Sequence, residues 1–322
     1  MPETIAAIVV TYNRCRWLME CLDSLRHQTR PLDRIFIIDN ASTDGTPEAL
    51  RDAGYLNDPN IEYCRMPGNT GGAGGFSEGL RRAYDAKYDW FWLMDDDVEA
   101  LPEALEQLLP YRLRSGCIHG RRVDADGEFV PWGEFFNPRT VTTTPIHDRL
   151  FTGDRQVEEL NVACFEGMLV SREVVSQIGF PDPSYFIGLD DTFYGFLASR
   201  VTPILCVNVA TLRRKRPLEF NTRPAIFGGG LSGRFSTMYL YYQSRNRYLI
   251  ARALRNRSIA FFLASVRVFL RSLLRELLVN RSGRGATAVL RGTIAGLRLW
   301  LRETSSAPNT SLMPAGGGQG SR

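Results

Sequence analysis

Ile5-Ala6-Ala7-Ile8-Val9-Val10-Thr11-Tyr12-Asn13-Arg14 and, further on, Arg34-Ile35-Phe36-Ile37-Ile38-Asp39-Asn40 are the two stretches that decide the fold. Each is a short apolar run that breaks off in polar residues, as a buried strand does. The segment between them, Arg16 to Gln28, has helical spacing, and strand, helix, strand in succession is the signature of a parallel sheet. The rhythm continues with a helix from Thr46 to Ala53, a strand Ile61 to Arg65, a helix from about Gly75 to Ala86 and a strand Trp90 to Met94. Open α/β sheets bind ligands beyond the carboxyl ends of their strands. Three polar strand exits fall there: Thr11 to Arg14, Asp39 to Gly45, and Asp95-Asp96-Asp97.

From Leu113 to about Arg216 the pattern is less regular, with strands predicted near Gly116 to Gly120, Ala163 to Ser171 and Pro203 to Val209, and a long loop from Trp132 to Arg155. Beyond Pro217 the chain turns to aromatic, arginine-rich helix, and Ser305 to Arg322 is a Pro, Gly and Ser tail expected to be disordered. The expected fold class is therefore α/β, with an α/β domain over 1–216, a basic amphipathic helical region over 217–302 and a tail over 303–322.

A 322-residue chain with 44% hydrophobic and 23% charged residues can bury a full core, which excludes a disordered protein. Its six cysteines lack C-x-x-C pairing, which argues against a zinc site or a disulfide framework and for a reducing compartment. The opening apolar run, Ile5 to Val10, is too short for a secretory signal. The formal charge of +4 conceals an asymmetry: Arg234 to Arg302 holds fourteen arginines against one acid, Glu276, leaving the rest of the chain at −9.

The triplet Asp95-Asp96-Asp97 follows an apolar strand and presents crowded carboxylates with nothing adjacent in sequence to neutralise them. Magnesium or manganese relieves such crowding, taking one or two carboxylates plus substrate phosphate oxygens; the plainer alternative is a solvated acidic turn. Asp39 ends its strand where it can accept from a nucleobase or ribose. Because Ser42, Thr43 and Asp44 are better caps for the next helix, Asp39 is expected to stay free for ligand. The run Gly68-Asn69-Thr70-Gly71-Gly72-Ala73-Gly74-Gly75-Phe76 would let backbone approach a ligand closely, or form a flexible turn. It lacks the G-x-G-x-x-G spacing of a dinucleotide fold. Of the pair Asp190-Asp191, one carboxylate can cap the helix that follows and the other can accept a proton from a hydroxyl.

Taken in order, V-V-T-Y-N-R, I-D-N-A-S-T-D-G-T, G-N-T-G-G-A-G-G-F, W-L-M-D-D-D-V, F-x-G-x-x-x-S-R and F-I-G-L-D-D resemble the family 2 glycosyltransferases over roughly Ile5 to Arg216. The triplet, the glycine run and the acid pair look most like bacterial galactofuranosyltransferases, with rhamnosyltransferases close behind. Tyr241-Tyr242-Gln243-Ser244-Arg245-Asn246-Arg247 resembles the Y-Y-x-x-R-N-R stretch of both groups. The resemblance implies a GT-A fold and an inverting transfer of a sugar, galactofuranose from UDP-galactofuranose or else rhamnose from dTDP-rhamnose, to a hydroxyl of a lipid-linked or cell-surface glycan. It implies that Thr11, Arg14, Asp39 and Asn69 hold the nucleotide, with Tyr12, Gly72, Asp95 and Asp96 beside them in the donor site. Asp95 and Asp97 would bind the donor pyrophosphate through Mg2+ or Mn2+, and Asp191 would be the general base.

Two departures stand out. Family members usually supply a histidine ligand after the strand that follows the base, but Val207 to Arg216 holds Arg213, Arg214, Lys215 and Arg216 and no histidine. Either the metal keeps another water or a cation shares its task at the diphosphate. Polymerising galactofuranosyltransferases carry two tryptophans where this chain has Met168-Leu169, which leaves the acceptor open.

In Ile259 to Val279 the arginines 267, 271 and 275 fall four apart and form one helical stripe, expected opposite Phe261, Phe262, Leu263, Phe269, Leu270, Leu273 and Leu277. Ala286 to Leu301 repeats the theme. Three charges argue against a spanning helix and for one lying on an anionic bilayer, peripheral at the cytoplasmic face of a bacterial plasma membrane; packing on the catalytic domain or on a second subunit is the alternative. Nucleic acid is not an expected partner, since the rest of the chain is acidic and carries no such motif. A nucleotidyltransferase would open with a G-G-x-G-T-R loop where this chain has Thr11 to Arg14. A nucleotide-sugar binding or scaffold protein would be expected to have lost Asp95, Asp97 and Asp191.

Overall fold

A computed structural model describes residues 3–130, 134–146, 150–215 and 235–302. The tail expected over Ser305 to Arg322, Arg216 and most of the link after it lie outside the described residues.

In chain order the strands are β1 (Ile5–Thr11), β2 (Arg34–Asp39), β3 (Ile61–Arg65), β4 (Trp90–Asp95), β5 (Val98–Ala100), β6 (Cys117–Val123), β7 (Glu134–Asn137), β8 (Thr142–Pro145), β9 (Val157–Leu160), β10 (Leu169–Ser171) and β11 (Ile204–Arg214). The helices are α1 (Cys15–Arg26), α2 (Thr46–Asp52), α3 (Gly71–Asp85), α4 (Ala104–Leu108), α5 (Arg172–Ile178), α6 (Asp190–Ala198), α7 (Thr237–Ala253), α8 (Ile259–Leu274) and α9 (Gly283–Leu301). The main sheet runs β3-β2-β1-β4-β10-β6-β11-β5, with β9 also on β11. β3, β2, β1 and β4 are mutually parallel, whereas β10 runs against both β4 and β6. The α/β class and the GT-A arrangement expected from the sequence are observed.

The apolar strands are explained by what covers them. Ile5, Ala7, Val9, Ile35, Ile37, Trp90 and Trp92 point to one face, where Leu18, Leu22 and Leu25 of α1 pack. Ala6, Ile8, Phe36, Ile38, Phe91 and Leu93 point to the other, against Phe76 and Leu80 of α3. With both faces covered, no interior position in these strands is left for a polar residue, and the polar residues fall at their ends.

Several sequence expectations are corrected. α3 begins at Gly71, so the glycine run is the first turns of a helix rather than a loop before one. Only Leu169–Ser171 of the strand expected over Ala163 to Ser171 is extended. The strand expected over Pro203 to Val209 runs on to Arg214, and the long loop contains the β7–β8 hairpin.

In the helical region, α7 packs along α9 and α8 also touches α9. At about 100° per residue, Ile259, Phe262, Leu263, Val266, Leu270 and Leu274 of α8 fall on one exposed arc. Arg267, Arg271 and Arg275 lie on its flank, while Phe261 and Ser265 turn inward. The arginines therefore border the exposed apolar face; they do not stand opposite all the residues expected, because Phe261 is spent on the bundle core. Glu276, the lone acid between Arg234 and Arg302, is buried in a π-helical turn that follows α8 and accepts from Asn280 Nδ2 at 2.7 Å.

Candidate active site

Strand register brings the polar exits together. Thr11 of β1 pairs with Asp39 of β2, and Val10 pairs with Asp95 of β4, so three distant segments end on one sheet edge. There the triplet divides its work. Asp96 is buried, with Oδ2 accepting from Thr11 Oγ1 at 2.7 Å and Oδ1 from Arg14 Nη1 at 2.8 Å. The same guanidinium reaches Asp97 at 3.1 Å. The triplet is thus not uncompensated: its counter-charge comes from Arg14, remote in sequence. Burial, then Asp97, Glu166 and Asp96, pushes the Asp95 carboxyl well above the usual range, and Arg14 opposes only part of this.

Among the described residues no group of three or more acidic, His or Cys side chains forms a ready cage for a metal. The arrangement at Asp95 nevertheless suits a magnesium-type ion, which is held by one or two carboxylates and completes its shell with water and phosphate oxygens. Asp95, with Asp97 beside it, is the pair that fits; Asp96 has both oxygens committed.

The nucleotide candidates are placed as follows. Tyr12 is 43% exposed at the strand exit, offering its ring to a ligand. Asp39 is fully buried, its Oδ1 accepting from Ser42 N at 2.8 Å and its Oδ2 from the Tyr63 hydroxyl at 2.6 Å. It is therefore not free of structural duty, since it folds the turn after β2, and contact with a nucleotide would use its remaining lone pairs. Asn13 ties that turn to the β1 exit, its N–H donating to Ser42 and its Oδ1 accepting from Thr43 N at 2.7 Å. Asn69 is exposed and accepts from Gly71 N at 2.8 Å.

The run Gly68 to Phe76 was expected to admit a ligand, but Gly75 of that run admits the sheet, as does Gly79 further along α3. A β-carbon on Gly75 would lie 2.4 Å from Val10 Cγ1, and one on Gly79 the same distance from Ile8 Cγ2. Gly72 faces the acid pair, 3.7 Å from Asp190 Oδ2 by the same construction.

Asp190 and Asp191 open α6 after a kinked loop in which Phe186, Gly188 and Leu189 all have positive φ. Neither carboxylate caps α6 as expected, because the N-cap position falls to Leu189 and carries no side-chain cap; Asp191 Oδ1 instead accepts from the N–H of the next residue, Thr192, at 2.6 Å. Burial raises both carboxyls. Asp190, next to the Asp191 charge, is pushed up to about 7, while Thr192 and Arg122 hold Asp191 back. The two behave as a coupled pair.

Sequence reasoning missed the groups between the triplet and this pair. Arg122 is buried and meets Glu166 at 3.3 Å and also Cys164, and its charge acts on Asp191. Glu166 also pairs with Arg214 and its charge acts on Asp95. Arg214 stands in the segment where family members carry histidine. Its neighbours are paired too, Arg213 with Glu99 at 3.2 Å and Lys215 with Glu99 at 2.9 Å. The signal available was Glu166 itself, a charged residue inside the apolar F-x-G-x-x-x-S-R stretch. Met168 and Leu169 are fully buried beside β4, with their side chains in the cores on opposite faces of the sheet. Glu134 of the β7–β8 hairpin and Tyr239 of α7 feel the Asp191 charge and were not anticipated.

The sequence profile of glycosyl transferase family 2 matches residues 6–179, more than half of the chain. The chain belongs to glycosyl transferase family 2. Galactofuranosyltransferase GlfT1 of Mycobacterium tuberculosis is 38% identical to the transferase over 100 residues, 31% of this chain and 32% of the relative. That match thus spans about a third of the relative's length. The N-acetylglucosaminyl-diphospho-decaprenol L-rhamnosyltransferase of the same organism is 26% identical over 222 residues, 61% of this chain and 70% of the relative. Among solved structures, S. aureus TarS 1-349 in complex with UDP-GlcNAc superposes with a TM-score of 0.55 at 14% identity, covering 92% of each chain. GalNAc-T7 with UDP, GalNAc and Mn2+ gives 0.54 at 17% identity over 83% of this chain and 55% of the other. At such identities the superpositions speak to the fold alone.

Proposed function

We propose that the transferase moves galactofuranose from UDP-galactofuranose to a hydroxyl of a lipid-linked or cell-surface glycan, with inversion at the anomeric carbon. The observation that carries this reading is the single sheet edge on which Tyr12, Asp39 and the triplet meet, with the Asp190–Asp191 pair next to it at Gly72. The 38% identity to a galactofuranosyltransferase favours that donor. The rhamnosyltransferase relative keeps dTDP-rhamnose as the second candidate.

In this reading the nucleotide lies on Tyr12 and against Thr11, Arg14, Asp39 and Asn69, with Gly72 and Asp96 lining the donor site. Asp95 and Asp97 would hold a Mg2+ or Mn2+ ion, whose charge balances the leaving diphosphate. Arg14 fixes Asp96 and Asp97, and the Arg214–Glu166 pair brings a cation to the same region. Asp191 takes the proton of the acceptor hydroxyl as its oxygen bonds to the anomeric carbon. The bond to the diphosphate oxygen breaks on the opposite side, and the electron pair leaves with the diphosphate. The raised carboxyl of Asp191 is suited to receiving that proton.

We read the acceptor side as lying toward α7, and the described helices α7 to α9 as a surface for an anionic membrane. No described helix is long and apolar enough to cross one. The exposed apolar arc of α8 bordered by arginines, with Glu276 turned inward, suits peripheral docking at the cytoplasmic face.

The test is transfer from a panel of nucleotide sugars to lipid extract with magnesium, manganese or chelator. Turnover of UDP-galactofuranose that is lost in Asp191→Asn and Asp95→Asn is expected; turnover of dTDP-rhamnose alone would overturn the donor assignment, and full activity in Asp191→Asn the base assignment.

A further inference from the structure

The stretch Arg245-Asn246 lies on α7, outside the span matched by the family profile, yet its side chains reach the loop that carries the acid pair. Asn246 is fully buried. Its Nδ2 donates to the carbonyls of Tyr185 at 2.8 Å, Ile187 at 3.1 Å and Gly188 at 2.7 Å. Its Oδ1 accepts from Arg245 Nε at 3.0 Å and Nη2 at 2.8 Å. Arg245 in turn donates to the carbonyls of Ser184 and Tyr185 and lies 4.6 Å over the Tyr242 ring. Tyr242 stacks on Phe186 at 4.6 Å between centroids.

The loop needs this support. Phe186 and Leu189 have φ of 63° and 65°, conformations that non-glycine residues keep only where the surroundings impose them. On its other side the loop meets the start of α3, with Phe186 O accepting from Ala73 N at 3.1 Å. α7 is held from behind, because β-carbons on Gly292 and Gly296 of α9 would lie 2.2 Å from Tyr241 O and 2.6 Å from the Tyr248 ring. The loop is thus gripped between α3, which borders the donor site, and α7.

We infer that Asn246 and Arg245 are positioning residues for sugar transfer: they hold the 184–189 loop in the conformation that sets Asp191 against the acceptor hydroxyl. This rests on the reading of Asp191 as the base. The experiment compares Asn246→Ala, Arg245→Ala and Ser265→Ala in the full chain, using the donor that the panel identifies and lipid extract as acceptor. Ser265 is a control of similar burial that bonds Phe261 O and Arg247 instead of the loop. Asn246→Ala is expected to lower kcat thirtyfold or more with donor KM within twofold and to displace the acid limb of the pH profile. Arg245→Ala, at a half-buried site, should lower kcat about tenfold by the same route. Ser265→Ala should lower the melting temperature without changing kcat or the pH limb.

If Asn246→Ala folds and keeps kcat within threefold, the inference is overturned. It is equally overturned if Ser265→Ala loses kcat in proportion to its stability, or if Asn246→Ala fails to fold and Arg245→Ala transfers normally. Asp191→Asn run alongside separates the two readings. Activity in that variant removes the base assignment, whereas an inactive Asp191→Asn beside an intact Asn246→Ala removes only the clamp.

Discussion

Gly79→Ala tests whether the glycines of α3 serve the sheet or a ligand. An alanine β-carbon there would lie 2.4 Å from Ile8 Cγ2 and 2.9 Å from Ile38 Cγ1. Both isoleucines are fully buried and have nowhere to swing. Overpacking of this kind costs about 1–3 kcal/mol. Alanine in place of glycine inside a helix returns up to about 1 kcal/mol. The overlap wins, for a net loss of about 1–2 kcal/mol, or a melting temperature lower by roughly 2–8 °C for a domain of this size. Urea unfolding followed by far-ultraviolet circular dichroism, with a thermal scan, measures it. A Gly79→Ala protein as stable as the parent or more so would refute the packing argument. If it also bound donor more weakly, Gly79 would have to be assigned to ligand instead.

Two further predictions follow from the acid pair and the helical region. A carboxyl held at about 7 in the fold and near 3.9 in the unfolded chain binds the extra proton in the native state. Its stabilising contribution is therefore present at low pH and is lost at roughly 1.4 kcal/mol per pH unit between those values. Asp190→Asn should accordingly gain stability on the parent between about pH 4 and pH 7 in denaturant titrations, and parallel pH curves would disprove the assignment. Replacing Phe262 and Leu263, both exposed on α8, by serine should weaken co-sedimentation with phosphatidylglycerol vesicles about tenfold or more, given roughly 1.5–3 kcal/mol for fully burying such a side chain. Equal binding of parent and variant, or equal binding to neutral phosphatidylcholine vesicles, would argue against an anionic membrane as the partner of this face.

The strands of the first half were legible because burial on both faces leaves a pattern any reader of the sequence meets: Ile5 to Thr11, Arg34 to Asp39 and Ile61 to Arg65 are strands within a residue of expectation. The polar exits were legible for the same reason, since a buried strand shows its end by the first residue it cannot cover. Boundaries failed where a residue has two physical uses. Gly71, Gly72 and Gly74, of low helix propensity, read as a loop yet open α3, and at Gly75 and Gly79 the tight contact of that helix with β1 outweighs the propensity. The stripe on α8 was visible, but which of its aromatic residues turned inward depended on α7 and α9, and no local pattern records that.

Composition and the order of apolar runs were enough to indicate an α/β fold with polar strand exits on one edge, because hydrophobic burial and helix or strand periodicity act over a few neighbouring residues; that the chain is a transferase came from the resemblance of its motifs to a family. The tertiary structure alone decided that Arg14 balances Asp96 and Asp97 from 82 and 83 residues away, that Glu166 joins Arg214 to the surroundings of Asp95, and that Asn246 grips the loop before Asp191. The reason is physical. A charge or a hydrogen-bonding group takes its role from whatever the packed chain sets within about 3 Å of it, and that neighbour is chosen by strand register and helix packing across the whole molecule.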